Sequence, residues 1–182
     1  LIEQYGFFGT YYINPATLGR QEIMSESQTK DLAYRGHQIA SHSNEHIDIT
    51  SFTRDFVRKD LSSASKNLIK LGVNGPIDYA SPYGKFDQAV LSDVMSIYAT
   101  HRGTDTGINT KNTTNYQNLK SLFMRKEVTD ERLQDMLSQT KNSNGGLILI
   151  YHQIEASETP FAIERDTFIR QLDIIKASGI EV

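Results

Sequence analysis

The chain has 182 residues, room for one domain with a substantial core and too few for two ordinary ones. Its 19 Lys and Arg against 22 Asp and Glu leave a net charge of −3, without the basic excess of a nucleic-acid binder. Cysteine is absent and no apolar run is long enough to cross a bilayer, which excludes disulfides, thiolate metal sites and a membrane-spanning helix in this chain.

The chain opens on "LIEQYGFFGTYYI", without an initiator Met. A helix tail running straight into a strand predicts that the chain starts inside a domain, with a further segment upstream. "FFGTYYIN" (7–14) reads as a buried strand that stops at Pro15. "SESQTKDLAYRG" reads as a helix, with Ser25 and Gln28 as a capping box and Gly36 as the stop. "HQIAS" is a short strand, and a long amphipathic helix follows over 52–71, with Phe56, Leu61, Leu68 and Leu71 among its apolar positions and Gly72 as its cap. "IDYAS" is strand-like and enters the turn "PYG". "DQAVLSDVMSIY" is helical and "ATHRG" another short strand. The Asn- and Thr-rich segment 104–119 reads as a surface loop. "LFMRKEV" is the next strand, and "TDERLQDMLSQTKN" a helix capped by Thr129. "LILIYHQI" is the most apolar run and predicts a buried strand. "ERDTFIRQLDIIKASG" is the last helix, and "IEV" begins a strand.

Apolar strands alternating with helices imply parallel pairing with helices outside, an α/β fold of one domain over 1–182. In such folds the site lies at the C-terminal ends of the strands. His42 and His46 follow "QIAS", Pro82 and Tyr83 follow "IDYAS", Arg102 follows "YATH", and His152 follows "LILIY". These features are expected to converge on one mouth. His42 and His46 stand four apart and share a face if the segment turns helically, close enough to hold one ion such as zinc. His152, on a strand taken as buried, suits a general acid, because imidazole titrates near neutrality. The Tyr83 N–H suits an oxyanion. Asp48, Asp87 and Asp105 are further carboxylates near strand ends, with nothing to choose among them.

In this order, "GHQIASHSNEH", "YASPYG" and "LILIYHQI" resemble the polysaccharide deacetylases with the NodB homology domain, carbohydrate esterase family 4. The opening and the closing "IKASGIEV" are similar to that family too. The resemblance implies a distorted (β/α) barrel and removal of acetyl groups from N-acetylglucosamine polymers, peptidoglycan or xylan with one divalent metal. That metal is expected to be zinc, with cobalt or nickel as alternatives. It implies His42 and His46 as metal ligands and Ser43 as a brace of their loop. It also implies Pro82 and Tyr83 lining the groove, the Tyr83 N–H helping the oxyanion, His152 as catalytic acid and Leu149 lining the acetyl-methyl pocket.

Two departures accompany the resemblance. The family's Asp-Asp motif, which supplies the base and the third metal ligand, falls before the segment that begins at Leu1, so the barrel is expected to lack its first strand in this chain. The position where many members carry an Arg is Ala80, and Arg102 on a neighbouring strand is a candidate to orient the base instead. A glycan-binding relative without hydrolysis, or a structural domain, would be the alternative. "NTT" at Asn112 matches a glycosylation sequon by chance expectation. Acetylated polysaccharide as partner places the protein outside the cytoplasm, secreted, periplasmic or at the cell surface. The polymer and the oligomeric state stay open.

Overall fold

The computed structural model describes residues 1–75 and 78–182, and the chain divides into two compact units. One holds Phe8–Gly103 with Tyr116–Asn118, and is called the histidine-loop unit below. The other, the C-terminal unit, holds Leu1–Phe7, Thr104–Asn115 and Leu119–Val182.

In the histidine-loop unit the order is β1 (Thr10–Ile13), α1 (Glu26–Tyr34), β2 (Gln38–Ser41), α2 (Arg54–Lys70), β3 (Asp78–Ala80), α3 (Gln88–Met95) and the first part of β4 (Thr100–Thr106). The strands pair in parallel in chain order, with Tyr12 opposite Ala40, Ser41 opposite Tyr79 and Ala80 opposite Arg102. Helix starts follow their local chemistry. Ser25 accepts the Gln28 N–H while Gln28 reaches back to the Ser25 N–H, a complete capping box. Thr53 caps α2 and Asp87 caps α3.

Strand alternation then sorts the faces. Ile13 and Ile39 pack with Leu32 of α1 and Leu68 of α2, and Tyr79 packs with Val57 and Leu61 of α2 and Val90 and Val94 of α3. By period two, Tyr12, Ala40, Ala80 and Arg102 lie on the opposite face. The Tyr98 hydroxyl bridges Ser41 Oγ at 2.9 Å and the Leu61 carbonyl at 3.0 Å. Tyr79 is fully buried, and its hydroxyl has no hydrogen-bond partner among the described residues. Tyr79→Phe removes an unsatisfied buried group and keeps the ring, so it should stabilise the protein by about 1 kcal/mol. A urea-unfolding midpoint that does not rise would contradict this.

The C-terminal unit contains β5 (Leu119–Phe123), α4 (Asp130–Ser143), β6 (Leu149–Ile150), β7 (Gln153–Ile154), β8 (Ala162–Ile163) and α5 (Arg165–Ser178). β5 pairs in parallel with β6, and β7 with β8. Its core joins Leu122 and Met124 to Leu133 and Leu137 of α4 and to Phe168 and Leu172 of α5. Thr129 caps α4 by accepting the Arg132 N–H.

Several expectations need correction. The first strand is four residues long, and Phe8, ahead of it, is 56% exposed. Phe56 is exposed as well: it stacks on Phe52 with ring centroids 4.7 Å apart, both outside the core. β4 continues to Thr106 and β5 begins at Leu119, which shortens the expected loop at both ends. "LILIYHQI" is two two-residue strands, because after Ile150 the chain turns Tyr151 toward α5, where its hydroxyl donates to Gln171 Oε1 at 3.1 Å. His152 is consequently exposed, where a buried position was expected. "IEV" forms no strand, since it follows the left-handed Gly179 cap of α5 without a partner strand. Ile77, the first residue of the expected strand "IDYAS", lies outside the described residues.

Candidate functional site

The loop after β2 brings His42 and His46 together, with ring centroids 5.0 Å apart at 66°. It does so without a helical turn. Ser43 and His46 both adopt left-handed backbone, φ 65° and 58°, conformations costly for non-glycine residues unless neighbours hold them. The holding contacts are specific. Ser43 is fully buried, and its Oγ accepts the His46 N–H at 2.9 Å. The Asn14 amide, at the end of β1, donates to the carbonyls of His42 and Ser43. From α2, the buried Asp60 carboxylate accepts the Asn44 N–H at 3.0 Å, and Asn67 donates to the Asn44 side chain at 3.1 Å. Burial pushes the Asp60 carboxyl above its ordinary pKa, with the amide bonds opposing.

The ring of His42 has a defined role for one nitrogen. Its Nδ1 lies 2.7 Å from the Ala80 carbonyl, which can only accept, so Nδ1 carries the proton. In the neutral ring Nε2 is then the unprotonated nitrogen, the tautomer of a metal-binding imidazole steadied by a backbone carbonyl. Burial lowers the pKa of His46, keeping that ring neutral as well, as a ligand must be. Two neutral imidazoles this close fit two positions of a zinc-type site, short of the three protein ligands usual in catalytic zinc. Among the described residues no third His, Asp, Glu or Cys makes up a cluster with them.

Tyr83 follows β3 in a tight turn after the buried Pro82, with φ 59°. Its ring meets His46 edge-on, centroids 4.7 Å apart, and its hydroxyl donates to the His46 carbonyl at 3.3 Å. At 64% exposure the Tyr83 ring is a wall open to solvent. The other expected acids are committed elsewhere or belong to the other unit. Asp48 pairs with Lys85 at 2.6 Å, and hydrogen bonds from Lys85 and then Thr50 hold its carboxyl down to about 2. Asp87 caps α3, and Asp105 is exposed in the C-terminal unit.

Arg102 is buried, within β4 rather than after it, with its guanidinium 4.7 Å over the Tyr12 ring. Ala40 opposite Tyr12 and Ala80 opposite Arg102 present only methyls on that face, which leaves room for the crossing. Nη1 donates to the Gly103 carbonyl at 3.2 Å, whereas Nε has no partner. No carboxylate pairs with it among the described residues, and burial lowers its pKa, against the influence of Tyr12. A buried guanidinium in this state is short of an anion.

His152 and Leu149 belong to the C-terminal unit. The His152 ring lies 4.7 Å from that of Phe123 and 5.8 Å from that of Phe161. Leu149, opposite Leu122 in the β5–β6 register, is partly buried against the core of its unit.

Tyr12, Asn14, Asp60 and His101 escaped the sequence reading. Asn14 was accessible to it, being the residue that follows strand "TYYI". Asp60 also left a trace, an acid on the buried helical stripe of Val57, Leu61, Ala64 and Leu68. Tyr12 and His101 look like ordinary strand residues.

The sequence profile described as polysaccharide deacetylase matches residues 1–100. No curated protein matches the chain. Solved structures do. The chain is similar to a polysaccharide deacetylase from Bacillus cereus (TM-score 0.64, 20% identity, 71% of this chain and 41% of that one). It is similar to a Streptococcus pyogenes deacetylase solved with acetate (TM-score 0.68, 19% identity, 74% and 61%). A family 4 carbohydrate esterase from Streptomyces lividans, also with acetate, aligns over 97% of this chain and 76% of its own (TM-score 0.61, 15% identity). At these identities the likeness shows the fold, the (β/α) barrel type of the carbohydrate esterase deacetylases. The chain spans 41% and 61% of the first two of these structures.

Proposed function

This chain belongs to the polysaccharide deacetylase family, and from that premise we propose that it is a metal-dependent hydrolase of acetyl groups on N-acetylglucosamine-containing or other acetylated polysaccharide, acting outside the cytoplasm. The observation that carries the reading is the His42–His46 pair, two close imidazoles, with His42 Nδ1 turned to the Ala80 carbonyl so that Nε2 is the unprotonated nitrogen. When bound, a divalent ion, zinc first and cobalt or nickel next, supplies Lewis acidity to the acetyl carbonyl and to water.

The remaining roles fall to the chain's own groups. His42 and His46 hold the ion, with Ser43 bracing their loop and a carboxylate outside these residues as third ligand. The Tyr83 N–H, which makes no hydrogen bond to another described residue, meets the charge that develops on the carbonyl oxygen. Pro82 and Tyr83 border the groove, Leu149 receives the acetyl methyl, and His152 delivers a proton to the departing amine. Arg102, opposite Ala80 in the β3–β4 register, orients the carboxylate base in place of the arginine that Ala80 replaces.

The test is acetate release from an N-acetylglucosamine hexamer, with and without chelator. Chelator-sensitive release supports the reading; none at any metal concentration would sink it. That outcome would leave the second reading, glycan binding without hydrolysis, which draws on the lack of a three-ligand cluster among the described residues. Arg102 has its own test. Arg102→Met removes a buried charge that no described carboxylate pairs and should stabilise the fold by about 1–3 kcal/mol, while acetate release falls at least roughly 10-fold. Unchanged release would remove Arg102 from the mechanism.

A further inference from the structure

In the C-terminal unit, Phe123 at the end of β5 and Phe161 just before β8 lie with ring planes within 7° of parallel and centroids 5.7 Å apart. The His152 ring contacts both. Arg125 sets its guanidinium carbon 4.4 Å over the Phe123 ring and 5.7 Å from the centre of the Phe161 ring. The side chain is exposed and makes no hydrogen bond or ion pair with another described residue. Neither Glu127, Glu155 nor Glu158, its acidic neighbours in sequence, pairs with it.

This geometry separates two functions of one guanidinium. Its face is spent on the rings, which fixes its plane. Its edge, a fork of N–H donors, is left facing solvent, and that fork matches a carboxylate or a phosphate. Lys126 adds positive charge next along the chain, its Nζ tied to the Ser157 carbonyl at 2.6 Å. Phe161 is 43% exposed and offers an aromatic face of the kind on which the C–H face of a sugar ring stacks.

We propose that Arg125, Phe123 and Phe161 beside His152 form a subsite for an acidic sugar, one bearing a carboxylate or a phosphate, with its ring against Phe161 and its anion on the Arg125 edge. The proposal deepens the polysaccharide reading above and rests on it for its biological use. Binding itself requires no turnover.

The test is titration calorimetry of the protein with three oligomers. They are an uncharged N-acetylglucosamine hexamer, the same hexamer carrying 6-phosphates, and a hexamer alternating glucuronate with N-acetylglucosamine. At least one charged oligomer should bind about 10-fold tighter than the uncharged one, with the advantage shrinking as salt rises. Which arm shows the advantage tells carboxylate from phosphate. In Arg125→Leu the advantage should fall below about 2-fold, with an unchanged circular dichroism spectrum. Phe161→Ala should weaken all three oligomers. Equal affinities for charged and uncharged oligomers, a preference that survives in Arg125→Leu, or no binding of any oligomer would overturn the subsite. Acetate release from the uncharged hexamer, read in the same samples, keeps the two ideas apart. Release without charge preference sinks the subsite alone, and charge preference without release sinks the deacetylase alone.

Discussion

His42→Ala should abolish chelator-sensitive acetate release and weaken divalent-metal binding by at least roughly 100-fold. The reasoning starts from the donor count. Two imidazoles are the metal-binding groups that the described residues bring together, so deleting one halves the set they provide. The loss should come without unfolding, because the His42 ring is only partly buried and the loop is held by other groups, namely Asn14, Ser43 and Asp60. His46→Ala should behave alike. Ser43→Ala leaves both imidazoles in place and removes the acceptor that holds the His46 N–H, so metal binding should weaken less, about 10-fold. Zinc titration of the three variants decides the matter. If His42→Ala binds zinc as the wild type does, the pair is not a metal site. A pure glycan binder would predict unchanged sugar affinity in all three.

Stability should fall as pH drops from about 6.5 to about 4, with His101 the largest single cause. The ring is fully buried, its Nδ1 donating to the Gln117 carbonyl at 2.8 Å and its Nε2 accepting from Ser81 Oγ at 2.9 Å. Both nitrogens are therefore used by the neutral form. Burial pushes its pKa down to about 4, and the neighbouring charge of Arg102 adds to the effect. The unfolded chain takes up this proton near pH 6.5 and the folded protein only near pH 4. Between those values the unfolded state binds more protons, so folding weakens with acid, by about 3 kcal/mol over the window. Above pH 6.5 the effect is absent. Asp93, kept below its ordinary value by Arg54 and Arg58 against the pull of burial, acts under pH 3.8 and leaves this window clear. Asp60 works the other way, taking its proton earlier in the folded state. Urea unfolding at pH 7, 5.5 and 4.5, for wild type and His101→Phe, isolates the term. A variant with the same pH slope as wild type would assign the loss to other groups.

This acid sensitivity sits next to the proposed chemistry. Ser81, which His101 holds, immediately precedes Pro82 and Tyr83. Protonating His101 would give Nε2 a hydrogen and turn the bond with Ser81 around. The turn that carries the Tyr83 N–H is therefore coupled to the burial of a neutral imidazole in β4.

Local patterns in the sequence carried much of the architecture. The capping box at Ser25 and Gln28, the Thr129 cap, the left-handed glycines after α1, α2 and α5, and the order of strands and helices are all decided within a few residues. Short-range sterics and hydrogen bonds suffice for them, and the strand-end rule then located His42, His46 and Tyr83. Side-chain exposure was not decided locally. "LILIYHQI" is apolar enough for a buried strand, yet its histidine is exposed, because Tyr151 finds Gln171 on a helix twenty residues away. The same holds for the histidine pair. Spacing suggested a helical turn, whereas the contacts of Asn14 and Asp60, each more than a dozen residues from the loop, hold two left-handed residues in place.

What the sequence determined by itself was the α/β class, the helix boundaries and the identity of the candidate ligands. Each depends on residue types and on spacings shorter than a helix. Only the tertiary structure decided which nitrogen of His42 carries the proton, that Arg102 is buried with no carboxylate paired to it among the described residues, and that Arg125 lies over the Phe123 ring and near that of Phe161. Those facts depend on which backbone carbonyl or aromatic face stands across from a side chain, and Ala80 for His42, Tyr12 for Arg102 and Phe161 for Arg125 all lie at distances along the chain that no local pattern encodes.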